Sequence, residues 1–541
     1  MGKQEVFVRK ATGLLRPFSA TDAFILSLGF VNIGSGAFLV YSSSLAFAPG
    51  FNLGLSFVIA ALMNLFVVIV YSQMTVAMPR SGGDYVFVSR NLSPLVGFGN
   101  NFFFTVVAVL GIAWNSYFMG TIAVSGAAAA AGYATNNASL IWLSSQAGTP
   151  LVAFIIGGVV MLFTAVMNIF SLNWLKRVNR VTFVVAMAAV AVWLFVLATT
   201  PHQAFVDAFN KFAQQFTNSQ DSYGLVTSTA EKAGFSVPTD WSTVIQATLV
   251  SLPLTYFTLS GANTINFFAG EVKDVNKSAI VATIGALGII ALIDTVLGYL
   301  LFNVVDYNWL GAVSYLAFNQ PSSYALPSLP TLPLLVSLAN PNPIFIWLTF
   351  FGVIFWGYLI IAAYYLIATR NLFAWSYDNI VPTTFSDVNP KTRTPIKSIV
   401  LITVLALVAL GLYSFTPAFS FTNYTTAYNS VWIVPCLAAA VFPFAKKDLF
   451  EAQPSYVKAK IAGFPIMTLV GVLGALSVMY IDYVVVLNPG YAGIAPSLAT
   501  LSLVIILAIY IAGLVLFAAL KQFQKSRGID LDLVFKEIPP T

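Results

Sequence analysis

Apolar runs of about 20 residues recur from Phe24 to Leu520, and each is long enough to cross a hydrocarbon core roughly 30 Å thick. No other feature narrows the fold as much. A segment in lipid must satisfy its backbone hydrogen bonds internally, which leaves helices and closed barrels. Barrel strands alternate apolar and polar residues over about ten positions, and Leu151 to Val166 shows no such alternation. The chain is 58% hydrophobic and 8% charged, against roughly 25% charged residues in a soluble domain, so it lacks the charge to cover a water-facing surface. The expected fold class is an all-α polytopic membrane protein of about twelve transmembrane helices.

Hydropathy places these helices near 22–46, 53–78, 96–130, 150–171, 180–200, 243–269, 279–304, 343–374, 397–415, 424–444, 462–487 and 497–521. With a cytoplasmic amino terminus, every Lys and Arg except Lys211 and Lys232 falls in a cytoplasmic loop or tail. Basic residues are retained on that face, so the asymmetry supports both the orientation and the helix count. The expected organisation is a cytoplasmic segment 1–21, five spans over 22–200, an extracellular segment 201–242, five more spans over 243–444, two final spans over 445–521, and a cytoplasmic tail 522–541. The two long outer segments, 201–242 and 305–342, suit short surface helices or a lid. The first apolar run has no small-residue cleavage site and is expected to stay in the mature protein.

Several function classes are disfavoured. The net charge of +6 comes from scattered basic residues rather than one stripe, which argues against nucleic-acid binding. One histidine, His202, follows a span, and one cysteine, Cys436, lies within an apolar run. They supply neither a nucleophile–base set nor a metal cluster, so no metal, cofactor or enzymatic reaction is expected. The expected partners are the lipid bilayer and a small solute.

Polar backbone is exposed at two places inside the spans. Asn32-Ile33-Gly34-Ser35-Gly36-Ala37 interrupts the first, and Pro253 with Phe257-Thr258-Leu259-Ser260-Gly261-Ala262-Asn263 interrupts the sixth. Irregular backbone at membrane depth is tolerated only where it lines a cavity or is buried in protein. Breaks in the first and sixth of twelve helices fit an inverted repeat of five helices, with a binding site where the breaks meet. A half-helix amino end suits a carboxylate and a carboxyl end suits an ammonium. A zwitterionic amino acid matches that pairing without any charged side chain. The alternative is close helix packing on small residues.

The stretch Leu28 to Phe38 resembles the first-helix signature of the amino acid-polyamine-organocation permeases. Met78-Pro79-Arg80-Ser81-Gly82-Gly83-Asp84-Tyr85-Val86, Ala269-Gly270-Glu271-Val272-Lys273-Asp274, and Ala368 to Asp378 with Thr394-Pro395-Ile396 resemble later segments of that family in order. The resemblance implies that the amides of Ser35, Gly36 and Ala37, beside Gly34, hold the substrate carboxylate. The carbonyls of Ile33, Phe257, Thr258 and Ser260 would receive its ammonium, with Gly261 giving room and Phe257 or Leu259 as a gate. It also implies alternating-access transport across the cell membrane. Two coupling devices of relatives are missing from the sequence: Ala186 replaces a lysine in helix five, and Ile360-Ile361-Ala362-Ala363 offers no hydroxyl in helix eight.

Exchange, facilitated movement and proton coupling through another group stay open; Asp294, in the seventh span, is the clearest candidate for that group, since a carboxyl at membrane depth is costly to keep, the alternative being a protonated or hydrogen-bonded acid at a helix interface. Asp482 is expected nearer the surface and solvated. Glu271 with Arg80 and Lys273 is the candidate ion-pair gate at the cytoplasmic mouth. The alternatives are a polyamine, amine or nucleobase permease on the same scaffold and, more distantly, a membrane enzyme or sensor. A cation carrier would call for an acid facing the pocket, and Asn263 stands where many relatives carry one.

Overall fold

The computed structural model describes residues 16–170, 172–418, 423–492 and 494–535, and the side chains of 35–39 and 491–492 also lie outside the description. Among these residues, eleven helices are long and apolar enough to cross a membrane. A twelfth crossing is assembled from two helices in succession, Ala20–Val31 and Ile33–Phe47. The chain is an all-α polytopic membrane protein. Its one sheet among the described residues is the pairing of Lys460–Ile461 with Phe464–Pro465.

The second to fifth spans are Leu53–Ala77, Pro94–Ala134, Pro150–Phe170 and Leu172–Thr199; the sixth is Trp241–Leu259. Val275–Val305, Pro343–Tyr377, Ile396–Phe415, Tyr424–Ala445, Ile466–Leu487 and Pro496–Ser526 complete the set. The first starts at a capping box, in which Ser19 Oγ accepts from the Asp22 N–H and Asp22 Oδ2 accepts from the Ser19 N–H, so two of the free amide donors of the helix start are satisfied.

Burial follows lipid rather than water. Val159, Val181, Leu292 and Leu507 are exposed, an apolar surface that would drive association in water but suits a hydrocarbon solvent. The eighth span sits at the centre, with Leu359, Ile361, Ala362 and Ala363 each 0% exposed, and packs on the first, third and fifth spans.

The two long polar segments fold into helices, His202–Thr217 and Ser222–Lys232 from the first, Tyr307–Asn319 and Leu332–Ala339 from the second. They lock together through Tyr223 and Trp309, whose rings stack at 4.8 Å and 3°. The Tyr223 hydroxyl donates to the Val305 carbonyl at 2.9 Å. Ser42 Oγ donates to the Pro330 carbonyl at 2.6 Å, which ties this cap to the first span.

Candidate functional site

The first break is one residue wide. Asn32 adopts φ 65° and ψ 88°, its N–H still bonded to the Leu28 carbonyl at 3.0 Å, and a new helix begins at Ile33. Asparagine enters the left-handed region at lower cost than most residues, so it alone absorbs an interruption that the sequence spreads over Asn32–Ala37. Gly34 instead permits close approach, since a Cβ there would stand 3.0 Å from Cβ and Cγ of Trp356. A helix leaves its first four N–H groups without an intrahelical partner; here that of Asn32 is bonded to Leu28, and those of Ile33, Gly34 and Ser35 remain. The backbone of Ser35, Gly36 and Ala37 lies in this helix, and their side chains lie outside the described residues.

The sixth span breaks differently. Pro253 lies within it, the helix ends at Leu259, Ser260 is extended, and Gly261 has φ +107°. A Cβ at Gly261 would come 2.6 Å from Cε1 of Phe30 and 2.7 Å from the Tyr428 hydroxyl, so both conformation and space require glycine. Beyond it the chain continues as 3-10 turns, Thr264–Phe267 and Ala269–Glu271, where the sequence reading extends the helix to 269.

The freed carbonyls of this break divide into two sets. That of Phe257 accepts from the Ser260 N–H at 3.3 Å, and that of Tyr256 from Asn64 Nδ2 at 3.2 Å. Those of Thr258, Leu259 and Ser260 accept no hydrogen bond among the described residues. The open acceptors are thus Thr258 and Ser260, as the resemblance implies, with Leu259 added and Phe257 taken. Asn64, on the second span, is a supporting residue that sequence reasoning missed. Ser260 Oγ lies 3.0 Å from Asn64 Oδ1 and 2.8 Å from the Tyr256 carbonyl.

Aromatic rings close the space between the breaks. Phe30 meets Tyr364 of the eighth span edge-on at 4.6 Å, and Phe257 meets Tyr428 of the tenth at 5.5 Å. The hydroxyls of Tyr364 and Tyr424 are hydrogen-bonded to each other. Tyr424 and Tyr428 are four residues apart and so share a helix face, the one signal that could have singled them out. A cavity of ≈ 10 Å³ lies against Asn32, Gly34, Asn115 and Trp356, room for about one water molecule. Trp356 Nε1 and Asn263 Nδ2 are buried without a partner among the described residues.

At the end carrying the basic loops the packing is tight. Glu271, 0% exposed, is held bidentately by Arg370 of the eighth span, Nε to Oε1 at 2.8 Å and Nη2 to Oε2 at 2.9 Å. This corrects the expected gate of Glu271 with Arg80 and Lys273. A buried carboxylate requires a partner as dry as itself, and Arg370 is 2% exposed while Lys273 lies in solvent. Arg80, half-buried, donates to the Pro79 carbonyl at 3.1 Å. Phe18 N–H donates to the Glu271 carbonyl and Lys273 N–H to that of Phe18, at 3.2 and 2.9 Å. Asp22 pairs with Arg180 at 2.7 Å, and Arg90 with Asp378 at 2.8 Å. The first, fifth, sixth and eighth spans are thereby joined below the breaks.

Asp294 is 1% exposed, with neither carboxyl oxygen partnered among the described residues. Its backbone carbonyl accepts from the Tyr41 hydroxyl, at 2.5 Å, on the helix that begins at the first break. Asp482 departs in part from expectation: the residue is half-buried, and its Oδ1 is buried without a partner among the described residues.

A sequence model of the family described as Amino acid permease matches residues 18–520. Similar proteins include the Branched-chain amino acid permease BcaP of Bacillus subtilis, 24% identical over 402 residues, covering 71% of each chain. The Methylthioribose transporter of the same organism is 22% identical over 420 residues, covering 75% of this chain and 76% of its own. "Uncharacterized protein 399" of Sulfolobus islandicus rod-shaped virus 1 is 23% identical over 300 residues, which span 55% of this chain and 59% of that protein.

Proposed function

We propose that this chain, which belongs to the amino acid permease family and so is a multi-pass membrane transporter rather than an enzyme, carries an amino acid across the cell membrane by alternating access. One observation supports the substrate class above others. The start of the helix at Ile33 offers unpaired N–H groups, and the end of the helix at Leu259 offers the open carbonyls of Thr258, Leu259 and Ser260. The two breaks are neighbours, since Gly261 packs on Phe30, two residues before Asn32. Donors at one break and acceptors at the other match a carboxylate and an ammonium on one carbon.

In this reading the free amides of Ile33, Gly34 and Ser35, with Gly36 and Ala37 in the same first turn behind them, orient the carboxylate. Phe257 and Leu259 close over the substrate, and Gly261 keeps the backbone near it. The closed basic end and the ≈ 10 Å³ cavity describe a sealed conformation, from which Glu271–Arg370 must part for the substrate to leave on that side. The basic loops, and with them both termini, face the cytoplasm. Residues 22–200 and 243–444 act as the two inverted repeats. Asp294 is the proton-coupling group, because a carboxyl at membrane depth is costly to keep and this one is buried between spans without a partner among the described residues. A neutral thio-sugar is the second reading, favoured by the relative named Methylthioribose transporter.

The test is a thermal-shift screen of purified protein against amino acids, amines and methylthioribose, since a ligand that binds the folded state raises the melting temperature. Stabilisation by amino acids supports the reading, and stabilisation by methylthioribose alone overturns it. Uptake into liposomes under an imposed pH gradient tests the coupling group. Equal gradient dependence in wild type and Asp294→Asn removes Asp294 from it.

A further inference from the structure

A second buried acid lies outside the spans, on the far side of the sixth-span break from Asp294. Asp84 opens the short helix Asp84–Asn91 between the second and third spans and is 0% exposed. Its Oδ1 accepts from Asn101 Nδ2 at 2.7 Å, and its Oδ2 lies 3.3 Å from the Tyr71 hydroxyl and 3.5 Å from Asn100 Nδ2. The groups facing it are thus one phenol from the second span and two amides from the third. Behind Tyr71 stand Tyr428 and Cys436 of the tenth span. On the same helix, Arg90 is turned to Asp378.

The partners of Asp84 reach into the moving parts of the carrier. Asn101 Oδ1 accepts from Trp375 Nε1 of the eighth span at 2.8 Å. Asn100 Nδ2 donates to the Val431 carbonyl at 3.2 Å, within the tenth span. The loop just before Asp84 is stitched to the unwound half of the sixth span. Gly82 N–H donates to the Phe267 carbonyl at 3.0 Å, and Ser81 bridges Phe268. Phe267 in turn packs on Phe104 at 5.1 Å. Residues 264–271 therefore form part of the cover over Asp84, and they are also the residues that must move aside for the basic end to open.

We propose that Asp84 is a proton-binding site that controls opening of the basic end, with protonation holding that end shut and ionisation favouring its opening. A neutral carboxyl tolerates the dry junction, whereas a carboxylate is stabilised by the water that opening admits. Burial pushes the Asp84 carboxyl up to about 7, against roughly 3.9 for a hydrated aspartate. The closed form therefore binds the proton more tightly. Lowering the pH from about 7 towards 4 favours closure, and above about 7 the dependence levels off. The Asn101 amide, as a donor to the carboxylate, holds the midpoint lower than burial alone would set it.

The carrier reading gives this site its purpose, but the site can be tested without any solute, so failed uptake and a failed proton switch are separate results. Ala269, small and 1% exposed, is replaced by cysteine in a Cys436→Ser background. Its maleimide labelling in detergent is divided, at each pH, by that of an exposed Lys273→Cys control. The ratio is expected to rise by up to about tenfold per pH unit as pH climbs towards 7. In Asp84→Asn it should stay flat at the low-pH value. Asn101→Leu, which removes the donor that favours the carboxylate, should move the midpoint to higher pH. A flat wild-type ratio, or an unchanged slope in Asp84→Asn, overturns the proposal; should Asp84→Asn fail to fold, an unmoved midpoint in Asn101→Leu does the same.

Discussion

The first and sixth spans are both interrupted, yet they are built in opposite ways. In the first, one asparagine turns left-handed and helix resumes at the next residue. In the sixth, the helix stops at Leu259 and does not resume as α-helix before Val275, the intervening stretch being held from outside by Asn64, Thr75 and Arg370. A hinge that rests on one residue's conformational tolerance is cheap to form and easy to flex. An unwound segment that rests on several buried partners is rigid until those partners let go. The comparison predicts large mutational effects at the sixth span and small ones at the first.

The largest is expected at Arg370→Leu, which strands the Glu271 carboxylate in a dry site. Removing one member of a buried pair costs about 3–5 kcal/mol, read as lost stability in denaturant or heat. Glu271→Gln with Arg370→Leu together should recover part of it, and additive losses would show that the two are not coupled. Next is Gly261→Val, which places a branched side chain at positive φ against Phe30. Backbone strain of about 1–3 kcal/mol and the ring clash should leave little uptake in liposomes. Asn64→Ala removes one of the two donors to the Tyr256 carbonyl, Ser260 Oγ remaining as the other, and should cost about 1–2 kcal/mol. The smallest effects belong to the first break, where Asn32→Gly should be nearly neutral in stability and Asn32→Ala should cost about 1–2 kcal/mol. A loss at Asn32→Gly as large as at Arg370→Leu would reverse the comparison.

The twelve crossings were legible because twenty apolar residues in a row admit few other structures, and the breaks because Gly, Ser and Asn are out of place in such runs. The form of each break was not legible. Asn32 and the glycines after it read in sequence as one interruption, yet Gly34 belongs to a helix and serves contact with Trp356. The partner of Glu271 was sought among nearby residues, Arg80 and Lys273, but Arg370 is 99 positions away and reaches it only through tertiary packing. The tyrosines at 364, 424 and 428 were invisible for the same reason, since helix rotation decides which aromatic residues meet. Asp84 lies in the stretch Met78 to Val86 with no role legible there, because its burial depends on three spans closing around it.

The central claim is that peptide groups of the two breaks hold a zwitterion. Its most direct measurement is competition for uptake by the stabilising amino acid itself, its N-acetyl derivative and its carboxamide. Only the free amino acid should compete, because each derivative removes one of the two charges that the unpaired N–H groups and carbonyls receive. Equal competition by the N-acetyl or carboxamide form would contradict the account.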